Sequence, residues 1–264
     1  VNAQGLVENV QIISSELVTN GNFSQEGTEE ITNGDFTTDT KWSKGNGWSI
    51  SGGSANCDGT QTSNTELKQQ GGVLGATINF VVGKTYKVNF DIVVTSGAIT
   101  YVEVASGLDN NNVNTSGNHT TYITAVSTNN RFTIAANPDF IGSIDNVSVK
   151  EVGQDWNIEA VWTIGDGVAN GNGANGTSEE LTQSNVVTIG KTYSISYEIK
   201  NYVSGVIRIR KPQTINRNAN GTYTETVTTT SEAFIFSPSD FIGSITNVSV
   251  KEVTDDTNLP RINY

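Results

Sequence analysis

The chain has 264 residues, 27 of them Asp or Glu against 15 Lys or Arg, for a formal net charge of −12. That balance excludes a phosphate-backbone binder, which needs clustered cations, and reads as a charge that keeps the chain soluble. No apolar run nears the roughly 20 residues that cross a bilayer, so membrane insertion is not expected.

The front of the chain, residues 1–29, holds two signals. Glu8–Ile13 has the pattern of a closing strand, and Glu16–Phe23 carries Asn20-Gly21-Asn22-Phe23, which recurs at once as Asn33-Gly34-Asp35-Phe36. Two opening motifs therefore precede the first module, while the second passes from Val152 to Trp156 with none. Two readings follow. The segment is the remnant of a preceding module, or it is an assembly strand. In the latter, Val10, Ile12, Leu17, Val18 and Phe23 would enter an open sheet edge on a neighbouring subunit. Main-chain ladder bonds would supply the affinity, and a contact that does not close on itself builds a filament.

Residues 30–152 read as a first module and 153–254 as a second. Trp42 and Trp48 recur as Trp156 and Trp162 at an offset of 114. Val82–Ile92, VGKTYKVNFDI, recurs as Ile189–Ile199, IGKTYSISYEI, at an offset of 107. Asp139–Val152, DFIGSIDNVSVKEV, recurs as DFIGSITNVSVKEV at Asp240–Val253, an offset of 101. The order is kept and the offset shrinks through loop lengths, which is duplication of one unit. Within each copy the period is two: Tyr86, Val88, Phe90 and Ile92 alternate with Lys87, Asn89 and Asp91, and Tyr193, Ile195, Tyr197 and Ile199 alternate with Ser194, Ser196 and Glu198. Such strands have one buried and one wet face. Turns at Ser96-Gly97 and Ser204-Gly205 lead into further β-rich runs, and helical periodicity is missing. The fold class expected is all-β: two tandem antiparallel β-sandwich modules of jelly-roll kind. Residues 255–264 read as a tail or linker.

The residues ITNGDF…KWSKGNGWSISGGSA with the closing GSIDNVSVKEV resemble the carbohydrate-binding jelly-roll modules attached to cellulases and xylanases. FIGSIDNVSVKEV and the terminal DTNLPRINY are similar to repeat modules of marine bacteriophage tail or fibre proteins. The resemblance implies a structural calcium in the first module, between the opening and closing strands, where Asp35 and Asp145 stand. It does not extend to the second copy, where Thr246 replaces Asp145.

Catalytic motifs are missing. Gly83-Lys84-Thr85 and Gly190-Lys191-Thr192 are strand-entry turns. A phosphate loop needs glycine where Ile78 and Asn185 stand, and a helix after it. His119 is the single histidine and is expected on an exposed loop; Cys57, the single cysteine, reads as a small core filler. Met is absent even at position 1, which implies a processed product or a piece of a longer chain. Low charge with abundant Thr, Asn, Gly and Ser points to an extracellular or virion-surface setting.

Glycan recognition wants planar polar groups beside an aromatic platform. The alternation turns Asn89 and Asp91 outward in the first module. With Ile99 and Tyr101 taken as inward, it turns Glu198, Arg208 and Arg210 to one common outer face in the second. Trp42 and Trp156 are the aromatic candidates, while Trp48 and Trp162 read as core, and Tyr122 and Tyr223 as core or rim. The expected function is thus a non-enzymatic surface structural or adhesion protein, with surface glycans as possible partners. The alternative is a self-assembling filament subunit joined through its N-terminal strand.

Overall fold

A computed structural model describes residues 11–173, 179–211 and 215–255. The elements are β1 (Gln11–Ile13), β2 (Glu26–Glu29), β3 (Ser43–Lys44), β4 (Trp48–Ser51), β5 (Ser54–Asp58), β6 (Thr65–Gln70), β7 (Thr85–Ser96), β8 (Ile99–Val104), β9 (Gly107–Asp109), β10 (Gly117–Thr124), β11 (Arg131–Ala136) and β12 (Ile141–Val152). The second half adds β13 (Asn157–Ile158), β14 (Trp162–Gly165), β15 (Val168–Asn172), β16 (Leu181–Gln183), β17 (Thr192–Ile209), β18 (Gly221–Thr228) and β19 (Phe234–Asp255). Every named pairing is antiparallel. The described residues contain no helix.

The chain forms two compact units, and one of them is discontinuous. The first module is Gln25–Gln154; the second joins the stretch ending at Ser24 to the stretch starting at Asp155. Residues 11–29 are therefore not a separate segment. β1 pairs with the end of β19, Ile13 opposite Val253, as β2 pairs with β12 in the first module, Glu26 opposite Val152. The second module has no Asn-Gly-x-Phe of its own after Val152, and the front of the chain supplies it. The assembly strand expected on a neighbouring subunit lies instead within its own chain. Val10 lies outside the described residues.

The first module is a sandwich of two sheets. One has the order β10-β7-β12-β5-β4 with β2 added on β12, and the other β3-β6-β11-β8-β9. Tyr86, Val88, Phe90 and Ile92 of β7 and Phe132 and Ile134 of β11 are buried in one core between the layers. In the second module the same layers are stitched together, because β17 and β19 each run through both. Residues 193–200 of β17 pair with residues 244–252 of β19, and residues 206–209 pair with 236–239. Tyr197 meets Phe236 edge-on across the core, with ring centroids 5.0 Å apart.

The opening segments seat identically in the two modules. Phe36 packs on Trp42 and Phe23 on Trp156, both with centroids 5.0 Å apart. The Trp42 indole N–H donates to the Asn33 carbonyl at 2.9 Å, and that of Trp156 to the Asn20 carbonyl at 3.1 Å. Gln69 brackets the Thr32 backbone and Gln183 the Thr19 backbone, each both donating and accepting. Gly34 and Gly21 lie so close to the Val147 and Val248 carbonyls that a Cβ at either would overlap the oxygen.

Candidate functional site

The outer face of the six-stranded sheet in the first module is built by β10, β7, β12 and β5. The register places Asn118 opposite Asp91, Thr120 opposite Asn89 and Tyr122 opposite Lys87; on the other side of β7, Asp145 stands opposite Asp91. Because Tyr86, Val88, Phe90 and Ile92 are buried, the alternate residues of β7 face out. A groove of about 510 Å³ opens on this face, lined by Asp91, Val93, Ser116, Asn118, Ser143 and Asp145 among others.

Asp91 is held from two sides. The Asn118 side-chain amide donates to one carboxylate oxygen at 3.0 Å and the Asn146 amide to the other at 2.8 Å. Those amides, Asn118 first, hold its pKa below the ordinary carboxylate value. Asn146 reaches Asp91 through a bulge: β12 slips register between Asp145 and Ser148, and Asn146 takes a left-handed backbone, φ 51°. Asp145 accepts from the Asn146 N–H at 2.6 Å. Two carboxylates directly opposite on neighbouring strands repel, and these donors offset part of that repulsion. Asn89 accepts from the Thr120 hydroxyl. An Asp91 held ionised in this way accepts hydrogen bonds and is unsuited to act as a general acid.

The counterpart in the second module is different. Glu198 takes the place of Asp91 and accepts from Asn247 at 2.8 Å, while Lys200 reaches its carboxylate at 3.4 Å. Across the ladder stands Thr246, not a second acid. Glu198 does not share a face with Arg208 and Arg210. The strand crosses between layers after Lys200, so the arginines project from the opposite sheet, where Arg210 pairs with Glu180. The sequence pattern missed this because β17 remains one unbroken strand through the crossing.

Four other expectations change. Trp42 and Trp156 are 2% and 1% exposed with their indole N–H groups satisfied, so they pack the core and offer no sugar platform. Tyr101 faces outward, because a bulge opposite Ala135 and Ala136 absorbs Thr100 and turns Val102 and Val104 inward. Its hydroxyl donates to Glu66 at 2.8 Å, beside a second groove of about 320 Å³ on the other sheet. Tyr122 also faces outward, since Ile123 is the buried member of that pair. His119 belongs to β10, half-buried and stacked on Phe90, with Nε2 2.8 Å from the Thr115 carbonyl.

The two carboxylates that the resemblance implies for a calcium each have hydrogen-bond partners close in sequence. Asp35 closes its own turn, accepting from the Thr37 amide and hydroxyl at 3.4 and 3.3 Å. Asp145 lies in the groove beside Asp91. Among the described residues no three His, Cys, Asp or Glu side chains gather to hold a metal ion. Calcium takes six to eight oxygen ligands, backbone carbonyls and waters among them, so a site here would need more than these two carboxylates.

No protein-family model matches the chain, and no curated protein matches it. Among solved structures it is similar to the N-terminal CBM22-1-CBM22-2 tandem domain of Xyn10C from Paenibacillus barcinonensis. The TM-score is 0.36 and the identity 9%, covering 88% of this chain and 98% of that one.

Proposed function

We propose that this is a non-catalytic structural or adhesion protein of an extracellular or virion surface, and that its first module holds a glycan on the outer face of the six-stranded sheet. The observation that carries the reading is the groove in which Asp91, clamped by Asn118 and Asn146, stands beside Asp145, Ser116 and Ser143. Sugar hydroxyls donate to ionised carboxylates and exchange both roles with amides and hydroxyls. A carboxylate already fixed by its neighbours loses little freedom on binding, which favours affinity. Val93, 57% exposed, adds an apolar spot within the groove. Tyr122, two rungs along the same face and roughly 13 Å away by strand rise, supplies an aromatic surface for an extended chain of sugars.

Screening the intact protein on a glycan array, followed by calorimetric titration of the best binder, tests this. Asp91→Ala and Asn118→Ala are each expected to weaken binding about tenfold, the loss of a charge-assisted hydrogen bond. An array without any hit, or full affinity in both variants, removes the reading.

A further inference from the structure

The groove on the five-stranded sheet of the first module has a chemistry of its own. Tyr101 on β8 and Glu66 on β6 both stand opposite Ala135 of β11, one on either side. Two strand spacings, about 10 Å, separate their backbones, yet the Tyr101 hydroxyl donates to the Glu66 carboxylate at 2.8 Å. The ring therefore lies along the sheet, across β11. Ala135 points outward, between Ile134 and Ala136 of the core, and under that ring it is 0% exposed. Tyr101 itself is half-buried. A tyrosine laid flat and pinned at its hydroxyl turns one aromatic face to solvent, and its rotamer is fixed before any ligand arrives.

The second module shows that the fold does not need this ring. Gln183 makes there the bracket that Gln69 makes in the first module. Three residues back from these glutamines stand Glu180 and Glu66. Three residues on from their partners Phe234 and Phe132 stand Ser237 and Ala135, and opposite those stand Arg208 and Tyr101. The aromatic platform thus belongs to the first module alone.

Charge separates the two grooves of that module. Lys44 and Lys68 line this one together with Glu66. Lys44 pairs with Asp39, and Lys68 with Glu66 at 3.1 Å. An ammonium has three N–H donors, so each lysine keeps donors for a ligand. The first groove is lined by two carboxylates, Asp91 and Asp145, and by no cation. In a chain of net charge −12, two ammonium groups beside an aromatic face are a local exception. Asn46 and Asn64, both exposed, add amides at the rim.

We propose that this groove is a second saccharide site, and that it takes a sugar bearing a carboxylate, a uronic acid. The apolar face of the sugar ring stacks on Tyr101, and the carboxylate accepts from Lys44 and Lys68. Hydroxyls exchange hydrogen bonds with Asn46 and Asn64. Asp91 and Asp145 would repel the same acid from the first groove. The two sites share no residue, so either reading stands without the other.

Calorimetric titration of the intact protein with a galacturonate tetramer tests this, against the methyl ester of that tetramer as the uncharged control. The acid is expected to bind at least about tenfold more tightly than the ester, with the margin shrinking as salt rises. Tyr101→Ala and Lys68→Gln are each expected to weaken binding of the acid about tenfold, and Asp91→Ala to leave it unchanged. Lys44→Gln, at an exposed side chain, gives the same reading should Tyr101→Ala fail to fold. Equal affinity for acid and ester overturns the carboxylate as what the groove selects. Binding lost in Asp91→Ala but kept in Lys68→Gln and Lys44→Gln puts the acid in the first groove and overturns the second site. Binding of neither tetramer overturns it too, and leaves the first groove to its own array.

Discussion

Tyr86 shows how much a single side chain ties together in these modules. Its ring is 1% exposed, and its hydroxyl accepts the Val81 N–H at 2.8 Å, closing the loop that leads into β7. Tyr193 repeats the contact with Thr188 at 2.8 Å. Burial pushes the Tyr86 phenol up to about 12. Tyr101 is pushed up to about 12 by burial and by its bond to Glu66, and Tyr197 is raised too, by burial first and then Glu225. A raised phenol favours the neutral form in the folded state, so its stabilising share is full below the unfolded value, about pH 10. That share is lost as pH climbs through the folded value. Phenolate absorbance against pH should show these three of the eight tyrosines ionising above the ordinary range, together with loss of the β-sheet circular dichroism. Three further ordinary phenols would refute the assignment. The repeated tryptophans were legible in the sequence as a spacing. That Trp42 and Trp156 are core was not, because the Asn33 and Asn20 carbonyls that satisfy their indoles become visible only once the opening turn is folded.

At the scale of elements, alternation was legible wherever a strand is regular. In β7 the buried and wet residues fall as the period of two requires. It failed at bulges, because one extra residue reverses every side chain beyond it. Thr100 does this to Tyr101, and the Asn146 bulge brings an amide onto Asp91 that no spacing rule anticipates. Asn247 repeats that bulge with φ 54°, so the left-handed Asn in DNVSV and TNVSV was the available signal. The opening segments allow a sharper test. Gly34→Ala and Gly21→Ala each push a methyl into a carbonyl, of Val147 and Val248 respectively. Each is expected to destabilise its module by about 2 kcal/mol, as overpacking does, a fall of the order of 5–10 °C in melting temperature. Calorimetry with two resolved transitions should show Gly34→Ala moving one and Gly21→Ala the other. Movement of the same transition by both would contradict the seating of the front segment in the second module.

At the scale of the whole molecule, duplication was plain from the sequence, and so was the surplus of opening motifs at the front. The nesting was not. Deciding which groove a segment fills depends on contacts such as Gln183 with Thr19, across a separation that no local pattern spans. The physical logic is that a sandwich needs its opening segment to cover the aromatic slot, and the second copy has none nearby. If the first module is an insertion within the second, it is dispensable for the folding of the second, and loop closure across a short replacement linker adds little. Removing residues 25–154 and joining Ser24 to Asp155 through a short Gly-Ser linker should leave a protein with one cooperative thermal transition, close to that of the second module in the intact chain. Removing residues 1–154 should abolish that transition, since Trp156, which packs on Phe234, would lose Phe23 from its other contacts and the buried Val18 would go with it. Equal stability of the two shortened chains would mean that the opening segment contributes nothing to the second module, and the discontinuous architecture would fall with it.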